Sequence, residues 1–342
     1  MSSEMKSGIT RRGVVGASLI GWAALPAMDA MAATAPGLPP VGKDEIVVTL
    51  VGTGSVVPNT QRYGYCTLVQ AGGLNLLIDA GRGCAVRLTQ AGMPLGHIDA
   101  FFLTHFHSDH VIGLPDLWMT GYIHPYFGQR AGIMEVNGPT GTSNLCNSMR
   151  AAFSDDIRIR EADEKIPDVN TQIKGNEFSK DGVIFEKNGV TVTGFEVNHG
   201  PLIKPAVGYR VDYNGLSILC SGDTKFEQNI ITHGQGIDLI VHEVATANEK
   251  LSPDDQAVMN HHTSPEEAGI IFSGTKPRLA VFSHLVDLMD NQSDAWMVKE
   301  TLRRVKKNWQ GKTIVGDDLT RISVTKAAIK VQKFNEAKGT FA

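Results

Sequence analysis

The chain has 342 residues, of which 42% are hydrophobic and 20% charged, and its formal net charge is −4. These values are ordinary for a soluble globular protein, and the net charge excludes an overall basic field that would draw in nucleic-acid phosphates. The 36 glycines imply many tight turns, as a β-rich or mixed α/β chain needs.

Residues 1–33 read as an export signal. Lys6, Arg11 and Arg12 form a positive head before a mostly apolar run from Val14 to Leu25, and Ala30-Met31-Ala32 and Ala33-Thr34-Ala35 offer small residues for cleavage. The apolar run is shorter than the ~20 residues that cross a bilayer, so no stable membrane insertion is expected after its removal. Arg11-Arg12 before a Gly- and Ala-rich run resembles a twin-arginine signal, with a Sec signal as the alternative; either predicts a periplasmic protein. Losing this segment, which carries a net charge of +1, leaves the mature chain near −5. Residues 34–45 form a linker with the Pro-rich stretch Ala35–Pro40, and residues 46–342 form one domain.

Within that domain, Ile46–Val51 predicts a strand ending in Gly52-Thr53-Gly54-Ser55. A third glycine is missing and Pro58 stands where a helix would open, so this is not a dinucleotide loop. Tyr65–Gln70 and Leu74–Asp79 predict a hairpin turned at Ala71-Gly72-Gly73, and Ala85–Ala91 a short helix closed by Gly92. Ala100–Leu103 is a buried apolar strand. Residues Phe153–Asp181 are charged and weakly patterned, and predict a surface insertion or lid. Val190–Val197, Ala206–Val211 and Leu216–Cys220 follow as strands, with Asn214-Gly215 as a hairpin turn. Leu239–His242 and Leu279–Phe282 are apolar strands; Ser264–Phe272 and Ser293–Trp309 are helices, the first with Pro265 in its opening turn. Strands following strands, with helices interspersed, suggest two sheets packed face to face with helices outside. Cys66, Cys84, Cys146 and Cys220 form no C-x-x-C pair, which disfavours a zinc knuckle and suits buried small hydrophobes.

Thr104-His105-Phe106-His107-Ser108-Asp109-His110 places four ligand-type side chains within six residues, just after an apolar strand. Alternate side chains of an extended segment share a face, so His105 and His107 can grip one ion. Once the chain turns, Asp109 and His110 can reach a second. Imidazole and carboxylate donors suit two Zn2+, with iron or manganese as alternatives.

This H-x-H-x-D-H pattern resembles the hallmark of the metallo-β-lactamase superfamily, over nearly all of residues 46–325. The resemblance implies an α/β fold arranged as a four-layer αββα sandwich. It also implies the other metal ligands: His199 in Asn198-His199-Gly200-Pro201, Asp223 in Ser221-Gly222-Asp223-Thr224, and His284 in Ser283-His284-Leu285. His105, His107 and His199 would hold one ion, Asp109, His110 and His284 the other, with Asp223 bridging. His97, His124, His233 and His261 lack such context and are expected not to be ligands.

Three segments resemble the ribonuclease Z-like branch, which also includes periplasmic arylsulfatases. They are Gly208-Tyr209-Arg210, His242-Glu243-Val244-Ala245, and His262-Thr263-Ser264 with Ala268, although Thr263-Ser264 inverts the usual order. The branch implies that His262 protonates the leaving oxygen, that Glu243 holds His262, and that Asp109 orients a hydroxide shared by the two ions. Ribonuclease Z carries a tRNA-gripping arm between its G-Y-R-like strand and its metal aspartate. Here Arg210 and Asp223 are only thirteen positions apart. With an export signal and an acidic mature chain, no nucleic-acid partner is expected. The expected substrate is a small-molecule sulfate or phosphate ester, arylsulfatase-like or phosphodiesterase-like. It would be aromatic if Pro115, Leu117, Trp118, Tyr122, Tyr126 and Phe127 wall a pocket rather than form core or a homodimer contact. Alternatives on the same fold are a ribonuclease Z-type RNA phosphodiesterase, a lactonase and a hydrolytic aryl dehalogenase. A metal-binding protein without catalysis is disfavoured by the presence of both Asp109 and Asp223.

Overall fold

The computed structural model describes residues 38–123, 128–289 and 293–342. The export signal, His124, Tyr126 and Phe127 therefore lie outside the described residues. The first half runs β1 (Glu45–Gly52), β2 (Cys66–Ala71), β3 (Leu74–Ile78), α1 (Cys84–Gln90), β4 (Ala100–Phe102), α2 (Ser108–Val111), α3 (Leu114–Tyr122), β5 (Met134–Pro139), α4 (Thr142–Ala152), α5 (Ser154–Asp163), α6 (Asp168–Thr171) and β6 (Ile173–Phe178). The second runs β7 (Gly182–Lys187), β8 (Val190–Glu196), β9 (Val207–Tyr213), β10 (Leu216–Cys220), α7 (Gln228–His233), β11 (Leu239–Ala247), α8 (Pro253–Met259), α9 (Pro265–Thr275), β12 (Leu279–Leu288), α10 (Asp294–Val305) and β13 (Thr313–Val315). β14 (Thr320–Thr325) and β15 (Ile329–Gln332) follow, then a small ribbon of β16 (Phe334–Asn335) and β17 (Thr340–Phe341).

Among the described residues these strands form one sheet in the order β15-β14-β1-β2-β3-β4-β5-β6 and another in the order β13-β12-β11-β10-β9-β8-β7. Each sheet is antiparallel on one side and parallel on the other: β3 to β6 run parallel in the first, β10 to β13 in the second. Period-two alternation explains the layering. Leu74, Leu76 and Ile78 of β3 join Ile46, Val48, Phe102, Val211 and Ile218 between the sheets, while Leu77 points outward to Leu88, Leu117 and Trp118 under α1 and α3. On the other side Ala280 and Phe282 of β12 pack against Ile271 and Phe272 of α9 and Met297 of α10. Sheets buried on both faces give the four-layer αββα sandwich, and each fully buried Phe adds about 1.5–3 kcal/mol.

Several expectations change here. Phe153–Asp181 is not a lid: it carries α5 and α6, and its β6 pairs in parallel with β5 at the edge of the first sheet. Its charges mislead because an edge strand and a surface helix keep one face in water. Leu117, Trp118 and Tyr122 are buried core, not pocket wall. β11 and β12 run past the predicted strand ends to Ala247 and Leu288, so Glu243 and His284 lie within strands. The register between them shifts. His242 pairs with Phe282 and Val244 with Leu285, which sets Glu243 opposite both Ser283 and His284. This β-bulge leaves His284 in the left-handed region at φ 47°. All four cysteines are buried free thiols. Among the described residues no helix is long and apolar enough to cross a membrane.

Candidate metal centre and active site

β4 ends at Phe102, and Leu103-Thr104 lead into the motif at the carboxyl end of the parallel strands. The loop is fastened to β9 of the second sheet: Val207 N donates to Thr104 O at 3.0 Å, and the Tyr209 hydroxyl donates to the Leu103 carbonyl. The turn into α2 then swings Asp109 and His110 inward, both buried, while His107 stays exposed at the cleft.

The structure brings every candidate ligand together. His105, His107, His199 and Asp223 form one group whose ligand atoms lie within 4.8 Å of one another, and Asp109, His110 and His284 form a second. Asp223 Oδ2 is where they meet, 3.3 Å from the Nε2 atoms of both His110 and His284, 3.7 Å from that of His199 and 3.9 Å from that of His105. Asp109 Oδ2 lies 3.2 Å from His284 Nε2 and 3.7 Å from His110 Nε2. Tyr65 closes the back of the site, its ring centroid 5.4 Å from His110 and 5.7 Å from His284.

The outer nitrogens show how these rings are held. His110 Nδ1 donates to Asp79 Oδ2 at 2.8 Å, His105 Nδ1 to Thr104 Oγ1 at 3.0 Å, and His199 Nδ1 to the His261 carbonyl at 2.9 Å. Those partners fix the tautomer that turns each Nε2 lone pair inward. Among the described residues the buried Nε2 atoms of His105 and His110 and Oδ1 of Asp223 have no hydrogen-bond partner. Buried polar atoms left this way are costly unless a cation takes them up, so the donor set fits metal ions. Burial holds His105 well below its usual pKa and brings His199 down to about 4, which keeps both imidazoles neutral as ligands must be. Burial opposes the charge on Asp223, but His284 and His110 outweigh it and hold the carboxyl well below the usual range.

Sequence reasoning missed Asp79. It ends β3 in the left-handed region (φ 57°), is buried, and accepts from Thr104 N at 2.8 Å, Thr104 Oγ1 at 2.7 Å and His110 Nδ1. The signal was a carboxylate closing an apolar strand just before Ala80-Gly81. Asp79→Asn is expected to weaken metal affinity about 10–100-fold, the usual effect of losing such a support. A competition titration against a chelator would read this, and unchanged affinity would deny Asp79 the supporting role. Of the histidines set aside, His261 contributes its carbonyl to His199, while His233 stacks on Phe195 and pairs with Asp181. His97 is exposed.

His262 and Glu243 stand beside the ligands. Glu243 Oε2 lies 3.2 Å from His262 Nδ1, while its Oε1 accepts from Thr263 N at 3.0 Å and Thr224 N at 3.2 Å. One buried carboxylate thus ties together the segments that carry His262 and Asp223. Burial disfavours the imidazolium of His262, yet Glu243 outweighs that and pushes it up to about 9, so the ring carries a proton at neutral pH. A cleft of about 680 Å3 opens over these groups, with Val56, Val57 and Val258 on its apolar side.

A model of the family described as anti-Pycsar protein Apyc1 matches residues 46–253. Ribonuclease Z of Mycobacterium sp. (strain KMS) is 32% identical over 82% of this chain and 96% of its own length. Among solved structures, the metallo-β-lactamase fold protein YhfI from Bacillus subtilis superimposes with a TM-score of 0.64 at 17% identity, over 82% of this chain and all of that one. The short form of human tRNase Z (ELAC1) gives 0.60 at 19% identity, over 81% and 98%. These relatives correct the expectation that no nucleic acid is involved, because the curated relative is by name an enzyme of RNA. The net charge misled there: charge summed over a chain governs long-range steering, not what a recessed site grips. The H-x-H-x-D-H segment, the later ligands in order and the overall likeness agree: this chain belongs to the metallo-β-lactamase superfamily, in its ribonuclease Z-like branch, and is a metal-dependent hydrolase of ester bonds.

Proposed function

We propose that the chain hydrolyses phosphodiester bonds of nucleotide substrates in the manner of ribonuclease Z, using two zinc ions. The observation that carries this reading is the meeting of two ligand groups on Asp223 Oδ2, with His262, held by Glu243, over the same cleft. His105, His107 and His199 would hold one ion, Asp109, His110 and His284 the other, and Asp223 both. Such ions make water acidic near neutral pH and offset negative charge on the ester. The protein does the rest. Asp109 accepts from the attacking water and orients it, His262 gives its proton to the departing oxygen, and Glu243 keeps the His262 ring turned toward it. The apolar side of the cleft supplies surface for a base.

The test compares the zinc-loaded protein on bis(4-nitrophenyl) phosphate, a dinucleoside monophosphate and 4-nitrophenyl sulfate. Diesters are expected to be turned over at least tenfold faster than the sulfate. Preference for the sulfate would return the assignment to the arylsulfatase-like side.

We also propose that residues 1–33 direct export through the twin-arginine route, which carries folded proteins and suits an enzyme loaded with metal beforehand. The support is Arg11-Arg12 before a mild apolar run. Replacing both by lysine is expected to hold the precursor in the cytoplasm, read by cell fractionation. Unchanged export of that variant would rule the route out.

A further inference from the structure

His262 lines two cavities. Besides the metal cleft it borders a second one of about 650 Å3, bounded also by Lys225, Asn260, Ser264, Glu266 and Arg304. The charges there are unevenly committed. Arg304 forks onto Glu266, donating from Nε at 3.0 Å and from Nη2 at 2.7 Å, and gives Nη1 to the Ala247 carbonyl. Glu267 closes the capping box of α9 with Ser264. In the metal cleft, Arg62 is spent on Asp294, Asp317, Thr53 Oγ1 and the Gly316 carbonyl. Among the described residues that line the two cavities, Lys225 is the one lysine or arginine whose charge has no ion-pair partner. It sits two residues beyond Asp223 and lines the second cavity together with His262.

In-line displacement puts the attacking and leaving oxygens on opposite sides of phosphorus. If His262 supplies the proton, it marks the leaving side, and the cavity continuing past His262 receives the departing fragment. We propose that this second cavity is the leaving-group subsite, and that Lys225 binds a further phosphate carried by the leaving nucleoside. The inference rests on the phosphodiesterase reading for its direction. It adds a requirement on the substrate, namely a second anionic group beyond the scissile bond. Lys225 fits that task as a point charge on a flexible stem.

The test has two arms, both on the zinc-loaded full-length mature protein. In the first, uridine 3′,5′-bisphosphate and inorganic phosphate are titrated by calorimetry. Lys225→Met is expected to weaken the bisphosphate about tenfold more than inorganic phosphate, Lys225→Arg to retain most of the affinity, and the difference to shrink as salt rises. In the second, kcat/KM is measured on UpU and on the doubly phosphorylated pUpUp. Lys225→Met is expected to lower the value for pUpUp about tenfold, through KM, and to affect UpU far less. Equal losses for both ligands, or none for the bisphosphate, would overturn the subsite. If the binding arm behaves as expected but neither dinucleotide is cleaved, the phosphodiesterase reading falls while the anion subsite stands.

Discussion

Asp223→Ala is expected to lose at least one of two bound ions and to reduce turnover by at least about 10³-fold, beyond the ~10²–10³ that removing one charge-stabilising donor costs. Four imidazoles from different parts of the chain approach one oxygen of this carboxylate, and no second acid is placed to replace it: Asp109 reaches only His110 and His284. Without it the two ligand groups share no atom, and His110 keeps only Asp79 and Asp109 as carboxylate neighbours. Metal content of the dialysed protein gives the stoichiometry, and circular dichroism shows whether the fold survives. His107→Ala serves as companion, because His107 belongs to one group only and sits at the open edge. It is expected to lose activity while keeping the ion held by Asp109, His110 and His284. A fully loaded and active Asp223→Ala protein would end the two-ion reading.

His262→Ala is expected to keep both ions and to lose about 10²–10⁴ in turnover on esters with basic leaving groups, the usual contribution of a general acid. The loss should shrink toward nothing for nitrophenolate, which departs without a proton. Metal retention is expected because the seven assigned ligands form two groups without His262. His262 also lies within ligand reach of Asp223 and His284, so the metal content of the variant tests its assignment as an acid. Glu243→Gln should show the same leaving-group dependence more weakly, since that residue touches the ring and not the ester. It should also soften the structure, because Glu243 accepts from two backbone amides as well. An equal loss across all leaving groups would make His262 a substrate contact instead.

The ligands were legible because the motif is short and follows an apolar strand, and because His199 and Asp223 follow β8 and β10 while His284 follows the apolar run Leu279–Phe282. Runs of mostly apolar residues likewise placed the inner strands, where both faces are buried. What escaped depends on contacts distant in sequence. Asp79 gains its role only when β3 and β4 lie side by side, 25 residues from Thr104 and 31 from His110. β6 was hidden because an edge strand tolerates the polar residues Lys174, Asn176 and Glu177. The tight Asn214-Gly215 turn was read correctly as local geometry, with both residues at positive φ. The expectation of no nucleic-acid partner, drawn from it and from net charge, is the part the ribonuclease Z relatives overturn, since neither describes the cleft.

The extra residue at Ser283-His284 decouples two parts of β12 that an unbroken strand would lock together. Up to Phe282 the strand is core. From Leu285 to Leu288 it borders the cleft. A chain one residue shorter here would pair in continuous register with Val244 still opposite Leu285, but it would lose the left-handed position that aims His284 at the cleft. A single-residue deletion at this position is therefore expected to cost the placement of the ligand His284 even though it would spare the strand pairing on either side. Substitutions at Val286 and Asp287, by contrast, can reshape the mouth of the cleft while His284 stays anchored. The catalytic floor and the selective wall are built from one strand, yet they are free to change at different rates.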